Sequence, residues 1–330
     1  MKFHSPVLVT GASGFVGSHL AEKLAQNKVR VHLLVRKTSR IPFEPGPLMR
    51  LCYGDVTNLE SVKAAAKGVG VIYHLAGILR GSNFQKLNEV NAEGTRNVCE
   101  TALGIKNLKR LVYVSSLSAA GPSLDGKPIK ESDPCQPVSL YGATKRKGEE
   151  IAETYLKKFP ITNLRPGAVY GPRETDILEY FKMVQKGWVF LPRLRQTISF
   201  IHVDDLINAI LLAGHSPRAV GQTFFVSDGK AYSWQDFNLR IGKALNRSFK
   251  TLLIPMVIVQ AVAHLGEIAE KFSGKASMLN KDKVKEAFHS HWVCDINKIR
   301  KLLSYQPKKD LGSGVRETAL AYQKAGWLNQ

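Results

Sequence analysis

Tyr141 and Lys145 stand four residues apart in Tyr141-Gly142-Ala143-Thr144-Lys145. On a helix that spacing puts both side chains on one face, with the ammonium beside the phenol. A free tyrosine, with a pKa of about 10, exchanges protons poorly near neutrality. A neighbouring cation favours the phenolate and is expected to bring Tyr141 towards the working range. Upstream, an apolar run ends in Val114-Ser115-Ser116. From there Ser116 could hold a substrate oxygen while Tyr141 gives or takes its proton. So short a pattern also fits an ordinary surface pair, and its weight depends on what lies beside it.

A second group sits near the start. Val7-Leu8-Val9-Thr10 breaks into Gly11, Gly14 and Gly17 and then into a helical pattern. The order predicts strand, tight turn and helix. Gly11 permits the sharp turn, Gly14 lets backbone approach a pyrophosphate, and Gly17 lets helix pack on strand. The helix start adds unpaired N–H groups and the positive end of a dipole. The next strand ends Val35-Arg36-Lys37-Thr38-Ser39-Arg40 with no acid. An acid there would accept the 2′-hydroxyl of NAD, whereas arginine accommodates the 2′-phosphate of NADP. The cofactor expected is therefore NADP or NAD, with NADP favoured by Arg36. An exposed strand-end charge is the alternative reading of Arg36.

These groups need a frame. Candidate strands are Pro6–Thr10, Val29–Arg36, Arg50–Tyr53, Val71–His74, Arg110–Ser115 and Ile161–Arg165. Helical patterns at Gly14–Gln26, Leu59–Lys67, Phe84–Leu103 and Leu140–Phe159 fill the gaps. Such alternation predicts an α/β fold of the Rossmann type, a doubly wound parallel sheet covered on both faces. After about Pro172 the rhythm changes. Strand-like pieces (Ile198–Val203, Thr223–Val226) mix with helices at Asp204–Ala213, Trp234–Leu245 and Pro255–Phe272. Residues 1–172 are expected to form the nucleotide-binding domain, with later strands supplied from about 198–226. Residues 173–330 should form mainly a smaller, interleaved substrate lobe.

Composition narrows the class. The 330 residues are 44% hydrophobic and 22% charged, as in ordinary globular proteins. Cys52, Cys99, Cys135 and Cys294 form neither a CxxC pair nor a His/Cys cluster, so no metal is expected. That usage, and a start that runs directly into a strand, suit a reducing cytoplasm. The formal net charge of +20 is high. The basic residues form only short clusters, such as Lys145-Arg146-Lys147 and Lys308/Lys309. With no nucleic-acid-binding motif, a solvated basic surface is expected and specific nucleic-acid binding is not. Leu252 to Gly266 is apolar but falls short of the roughly 20 residues a span needs. A lid over a hydrophobic substrate or simple core packing is expected there. Peripheral membrane contact, helped by Lys271, Lys275, Lys281, Lys283 and Lys285, is the less favoured reading.

The chain resembles the extended short-chain dehydrogenases/reductases of the NAD-dependent epimerase/dehydratase group. The resemblance runs in family order from Val7 to about Ala213. Its pieces include Thr10-Gly11-xx-Gly14-xx-Gly17, Gly54-Asp55-Val56, His74-Leu75-Ala76-Gly77 and Asn91-xx-Gly94-Thr95-xx-Asn97. It continues through Val114-Ser115-Ser116, Tyr141-xxx-Lys145, Arg165-Pro166-xx-Val169-Tyr170-Gly171-Pro172 and Phe200-Ile201-His202-Val203-Asp204-Asp205. The resemblance implies Ser116, Tyr141 and Lys145 as the catalytic set, with Lys145 also on the nicotinamide ribose. It implies cofactor contacts at Gly11, Ser13, Gly14, Phe15, Val16 and Arg36, with Asp55 and Val56 on the adenine. Leu75, Ala76 and Gly77 would line the groove, Asn91 would brace the central strands, and Ser115 would adjoin the nicotinamide. Pro166, Gly167 and Val169 would flank the carboxamide.

Two departures bear on the substrate. Nucleotide-sugar enzymes of this group typically carry Asn where Ala168 stands, and arginine at the place of Ile198. Both changes favour the branch resembling 3β-hydroxysteroid dehydrogenases and dihydroflavonol-type reductases. The expected function is hydride transfer between NAD(P) and a secondary alcohol or ketone of a small, hydrophobic substrate. A nucleotide-sugar epimerase is the alternative, and a non-catalytic NADP-binding sensor or assembly protein ranks below it. Homodimerisation through the 84–103 and 140–159 helices is also implied by the resemblance.

Overall fold

A computed structural model describes residues 5–79, 84–273 and 281–329, with side chains in all of these except 265–273 and 281. Seven parallel strands form the central sheet. From one edge they are Met49–Tyr53, Val31–Val35, Val7–Thr10, Val71–His74, Arg110–Val114, Ile161–Pro166 and Gln222–Val226. Numbered along the chain, the order is 3-2-1-4-5-6-7, with the switch of direction beside Val7–Thr10.

Helices cover both faces, which is why the inner strands are buried along their whole length rather than alternating between core and solvent. Side chains still alternate between two cores. Val7, Val9, Val71 and Tyr73 enter one, while Leu8 and Ile72 enter the other. The glycine turn is built as its spacing predicts. Gly11 has φ +71°, and a Cβ at Gly17 would lie 2.1 Å from the Gly11 carbonyl oxygen. The helix Phe15–Gln26 starts there, and its N-cap Gly14 offers no side chain to its amides.

Several elements differ from the sequence-based expectation. Phe84–Leu103 is not one α-helix. It runs as Phe84–Asn88, a π-helical turn Glu89–Glu93, and Gly94–Leu103. The helix from Leu140 stops at Glu153 rather than Phe159, and residues 154–158 coil into turns ahead of Pro160. Ile198–Val203 is split into Thr197–Ile198 and Phe200–His202, and Val203 opens the helix Val203–His215.

The apolar Leu252–Gly266 segment is not core packing. Lys250–Ile254 pairs in parallel with Trp188–Pro192 as a two-stranded ribbon. After Pro255 the chain enters the helix Met256–Ser273, and of its described side chains Ala263 is buried while Val257, Ile258 and Val262 are exposed. Of the lysines that follow, the side chains of Lys271, Lys275 and Lys281 lie outside the described residues.

Candidate active site

In a parallel sheet every strand ends at the same edge. Here Gly11, Arg36, Asp55, Leu75, Ser115 and Gly167 each follow the carboxyl end of one of six adjacent strands. That edge, at the switch of strand order, is where open α/β sheets bind ligands. Ser13, Phe15 and Val16 are half-buried in and after the glycine turn, and Gly14 is exposed. Arg36, Lys37 and Arg40 are all exposed beyond the second strand. Asp55 accepts through Oδ1 from the Thr57 amide and hydroxyl, both at 3.0 Å, so it caps its own turn. The buried Val56 gives its carbonyl to Asn97 at 2.8 Å. Pro166 ends its strand, and Gly167 donates its amide to Val226 at 2.9 Å. Val169 lies in the short strand Ala168–Tyr170, which pairs with Phe200–His202. Beyond it, Arg173 bonds Ser18 Oγ at 3.2 Å and pairs with Glu22, both on the glycine-turn helix.

A buried relay fixes this edge internally. Thr95 donates to the Asn91 carbonyl at 2.7 Å and so accepts from His74 Nε2 at 3.0 Å. His74 Nδ1 then accepts from Thr10 at 2.7 Å, and Thr10 accepts from the Ala76 amide at 3.2 Å. Burial, with the nearby Lys145 cation, pushes the His74 pKa down to about 3, so the ring is the neutral tautomer this chain of bonds requires.

Asn91, in the π-helical turn, is the clamp. Its Oδ1 accepts from the Ile78 amide at 2.8 Å, and its Nδ2 donates to the Ile78 carbonyl and to Thr144 Oγ1, each at 3.0 Å. It thereby joins the Leu75–Ala76–Gly77 stretch to the helix carrying Tyr141 and Lys145. A Cβ built on Gly77 would lie 3.1 Å from Asn91 Oδ1 and 3.7 Å from Lys145 Nζ.

Tyr141 and Lys145 lie one turn apart on the helix Leu140–Glu153. Ser116 lies beside the Tyr141 hydroxyl and favours its ionised form. Ser116 is the N-cap of the helix Leu117–Ala120 and accepts the Ser118 amide at 3.1 Å. Lys145 is buried, donates to the Val114 carbonyl at 2.8 Å and sits 4.4 Å from the Tyr113 ring centre. Burial drives its pKa down to about 7, against the pull of Glu149. The expectation that Lys145 lowers Tyr141 is not met here. Burial raises Tyr141 to about 12, with the neighbouring Ser116 opposing and Glu286 adding to the rise. The reason is geometric, since the Lys145 ammonium is turned onto the Val114 carbonyl. Tyr141 is consequently a protonated phenol, arranged to donate.

Two supports were not legible in the sequence. Glu149, one turn after Lys145, is buried and receives Arg165 at 2.9 and 2.7 Å and Arg146 at 3.0 Å. Burial disfavours its charge, but these cations more than offset it and hold its pKa below the ordinary value. The second support comes from the helix Lys281–Ala287. Asp282 accepts from the Leu140 and Tyr141 amides at 2.6 and 3.1 Å, and Glu286 accepts from Ser139 at 2.8 Å. Carboxylates at a helix start answer its free N–H groups and dipole. Ala168 and the buried Ile198 leave apolar the two places at issue for a diphosphate, and Arg193 and Arg195 are exposed. Among the described residues, one group could hold a metal, His202, Asp204 and Glu317. Its Glu317 is already paired with Lys309.

This is a doubly wound α/β protein with a glycine-turn cradle and a Tyr–Lys–Ser set at one sheet edge. The sequence matches the NAD dependent epimerase/dehydratase family over residues 7–227, and the chain belongs to that family. It is 28% identical over 326 residues to the ceramide reductase of Caulobacter vibrioides, covering 98% of this chain and 96% of that protein. It is 25% identical to the UDP-glucose 4-epimerase of Vibrio cholerae, covering 98% of this chain and 97% of that one. The solved UDP-glucose 4-epimerase of Thermotoga maritima has the same fold, with TM-score 0.80 at 19% identity, covering 97% of this chain and 99% of that chain. The protein is thus an enzyme of the NAD-dependent oxidoreductase and epimerase class. The left-handed Gly11, the uncapped helix start at Gly14 and the exposed Gly77 fit a dinucleotide laid along this edge.

Proposed function

We propose that this protein transfers hydride between a nicotinamide dinucleotide and a secondary alcohol or ketone on a hydrophobic substrate that carries no nucleotide. The observation that carries the proposal is Tyr141 placed beside Ser116 and one helical turn from Lys145, together with apolar Ala168 and Ile198 where nucleotide-sugar enzymes carry polar groups. The bound nicotinamide supplies or accepts the hydride. Ser116 polarises the carbonyl, and Tyr141 donates its proton to the forming alkoxide. Lys145 holds the ribose and, when charged, the electrostatics of Tyr141. Gly11, Ser13, Gly14, Phe15 and Val16 cradle the pyrophosphate, and Asp55 and Val56 meet the adenine. Leu75 to Gly77, Ser115, Pro166, Gly167 and Val169 form the nicotinamide end. The unopposed cations Arg36, Lys37 and Arg40 favour NADP. Similarity to a ceramide reductase supports a lipid-like substrate. The proposal includes a cytoplasmic location, suited to four free cysteines, and a homodimer through the helices at 84–103 and 140–153.

The test is titration of the purified protein with NADPH and NADH, followed by turnover of hydrophobic ketones. Selective NADPH binding, weakened about tenfold or more by Arg36→Ala, and ketone reduction abolished by Tyr141→Phe are expected. NAD retained through purification with turnover of UDP-glucose would overturn the reading in favour of an epimerase. Full biological activity in Tyr141→Phe would overturn catalysis altogether.

A further inference from the structure

The ribbon and helix that follow one another at residues 250–264 leave apolar side chains facing water. In the parallel pair, Trp188 stands opposite Lys250 and Phe190 opposite Leu252. Val189 and Leu191 turn into the core, so Trp188 and Phe190 face outward at 44% and 50% exposure, with Leu252 at 44% on the same face. Past Pro255 the helix Met256–Ser273 adds Val257, Ile258 and Val262 at 74%, 51% and 51%. So many exposed apolar side chains on a ribbon and the helix that directly follows it mark an interaction site.

The charge around it says with what. No Asp or Glu occurs from Lys186 to Val203 or from Phe237 to Gly266. Lys186, Arg193, Arg195, Arg247 and Lys250 are exposed in those same segments, and the Lys250 ammonium lies 5.6 Å from the Trp188 ring centre. An apolar centre flanked by these cations, with an aromatic at the boundary, matches an anionic headgroup layer over acyl chains. A second copy would bring the same cations against themselves. No helix among the described residues is long and apolar enough to cross a membrane, so the contact is with the surface.

We infer that Trp188, Phe190, Leu252 and the Val257–Val262 face dock this protein onto an anionic lipid bilayer. The docked helix packs against Lys281–Ala287, whose Asp282 caps the helix bearing Tyr141. One helix therefore separates the bilayer contact from the proposed proton donor, and an amphiphilic substrate need not cross bulk water. This purpose rests on the proposed hydrophobic substrate. The docking itself does not.

The experiment is vesicle flotation of the full chain, with phosphatidylcholine alone or with about one third phosphatidylglycerol. The protein should float with the anionic vesicles and be released by high salt. Phe190→Asp/Ile258→Asp should bind more than about tenfold more weakly while keeping its melting transition and dinucleotide binding. Bromine-labelled lipid should quench wild-type fluorescence and quench Trp188→Phe less. Wild type left in the supernatant with both vesicle types would overturn the inference. So would equal binding of wild type and the double variant, or a change of oligomeric state in that variant with vesicle binding untouched. Tyr141→Phe protein should float like wild type, so failure of the oxidoreductase reading is distinguishable from failure of docking.

Discussion

Asn91→Leu removes the clamp between the groove wall and the catalytic helix at nearly constant volume. Three hydrogen bonds go with it, to the Ile78 amide, the Ile78 carbonyl and Thr144. Thr144 keeps its own bond to the Tyr141 carbonyl at 2.9 Å, so its hydroxyl is not stranded. The two Ile78 groups lose their partner beside a half-buried chain, at about 1 kcal/mol each, and the total comes to about 2–3 kcal/mol. An unfolding entropy of about 2.1 cal/mol/K per residue makes that about 3–4 °C in Tm for a chain of this length. The functional loss should be larger than the stability loss. Gly77 and Lys145 are held at their present separation through Asn91, and a displacement near 1 Å at such a site costs about 100-fold in rate. Thermal unfolding, NADPH titration and single-turnover hydride transfer on the same preparation separate these effects. A variant within about 1 °C of wild type with an unchanged single-turnover rate would refute the clamp.

Glu149→Gln should be severe, because it leaves the Arg165 guanidinium buried without a charged partner. About 3–5 kcal/mol is expected, measured by denaturant unfolding. Since the folded Glu149 pKa lies below its unfolded value, its contribution is complete above the unfolded carboxylate pKa of about 4.3 and is lost as pH falls through the folded one. Acid unfolding of the variant should lack that dependence. Lys145→Met should reduce hydride transfer by about 100-fold or more while leaving the protein folded. Lys145 titrates at about 7 when folded and at about 10.4 when unfolded, so between those values the unfolded chain binds the extra proton and wild-type stability rises with pH. The variant should show a flatter stability profile across that window.

The sheet is legible in the sequence because strands buried on both faces must be continuous apolar runs, and Val71–His74 is the plainest of them. The glycine turn and the Tyr141/Lys145 face are legible because their geometry is local, fixed within a few residues. What escapes is whatever depends on partners distant in the chain. Nothing near Leu140 indicates that Asp282 will cap its helix, and nothing in Trp188–Pro192 indicates a strand that pairs with Lys250–Ile254. The π-helical turn carrying Asn91 interrupts a pattern that reads as one uniform helix. Leu252–Gly266 misleads for another reason. Apolarity predicts burial against something, and here the described faces of the ribbon and helix turn away from the protein's own core. The Lys145 ammonium, expected to act on Tyr141, is instead engaged by a carbonyl whose position only the fold determines.

Asp282 bonds the amides of Leu140 and Tyr141 from the helix Lys281–Ala287. The cap of the Leu140–Glu153 helix is therefore supplied by a segment distant in the chain. Lifting the Lys281–Ala287 helix strips the first turn around Tyr141 of its hydrogen-bond acceptors and withdraws the Glu286 charge that helps keep the phenol protonated. On the proposed function, any displacement of that helix would therefore act directly on the proton donor.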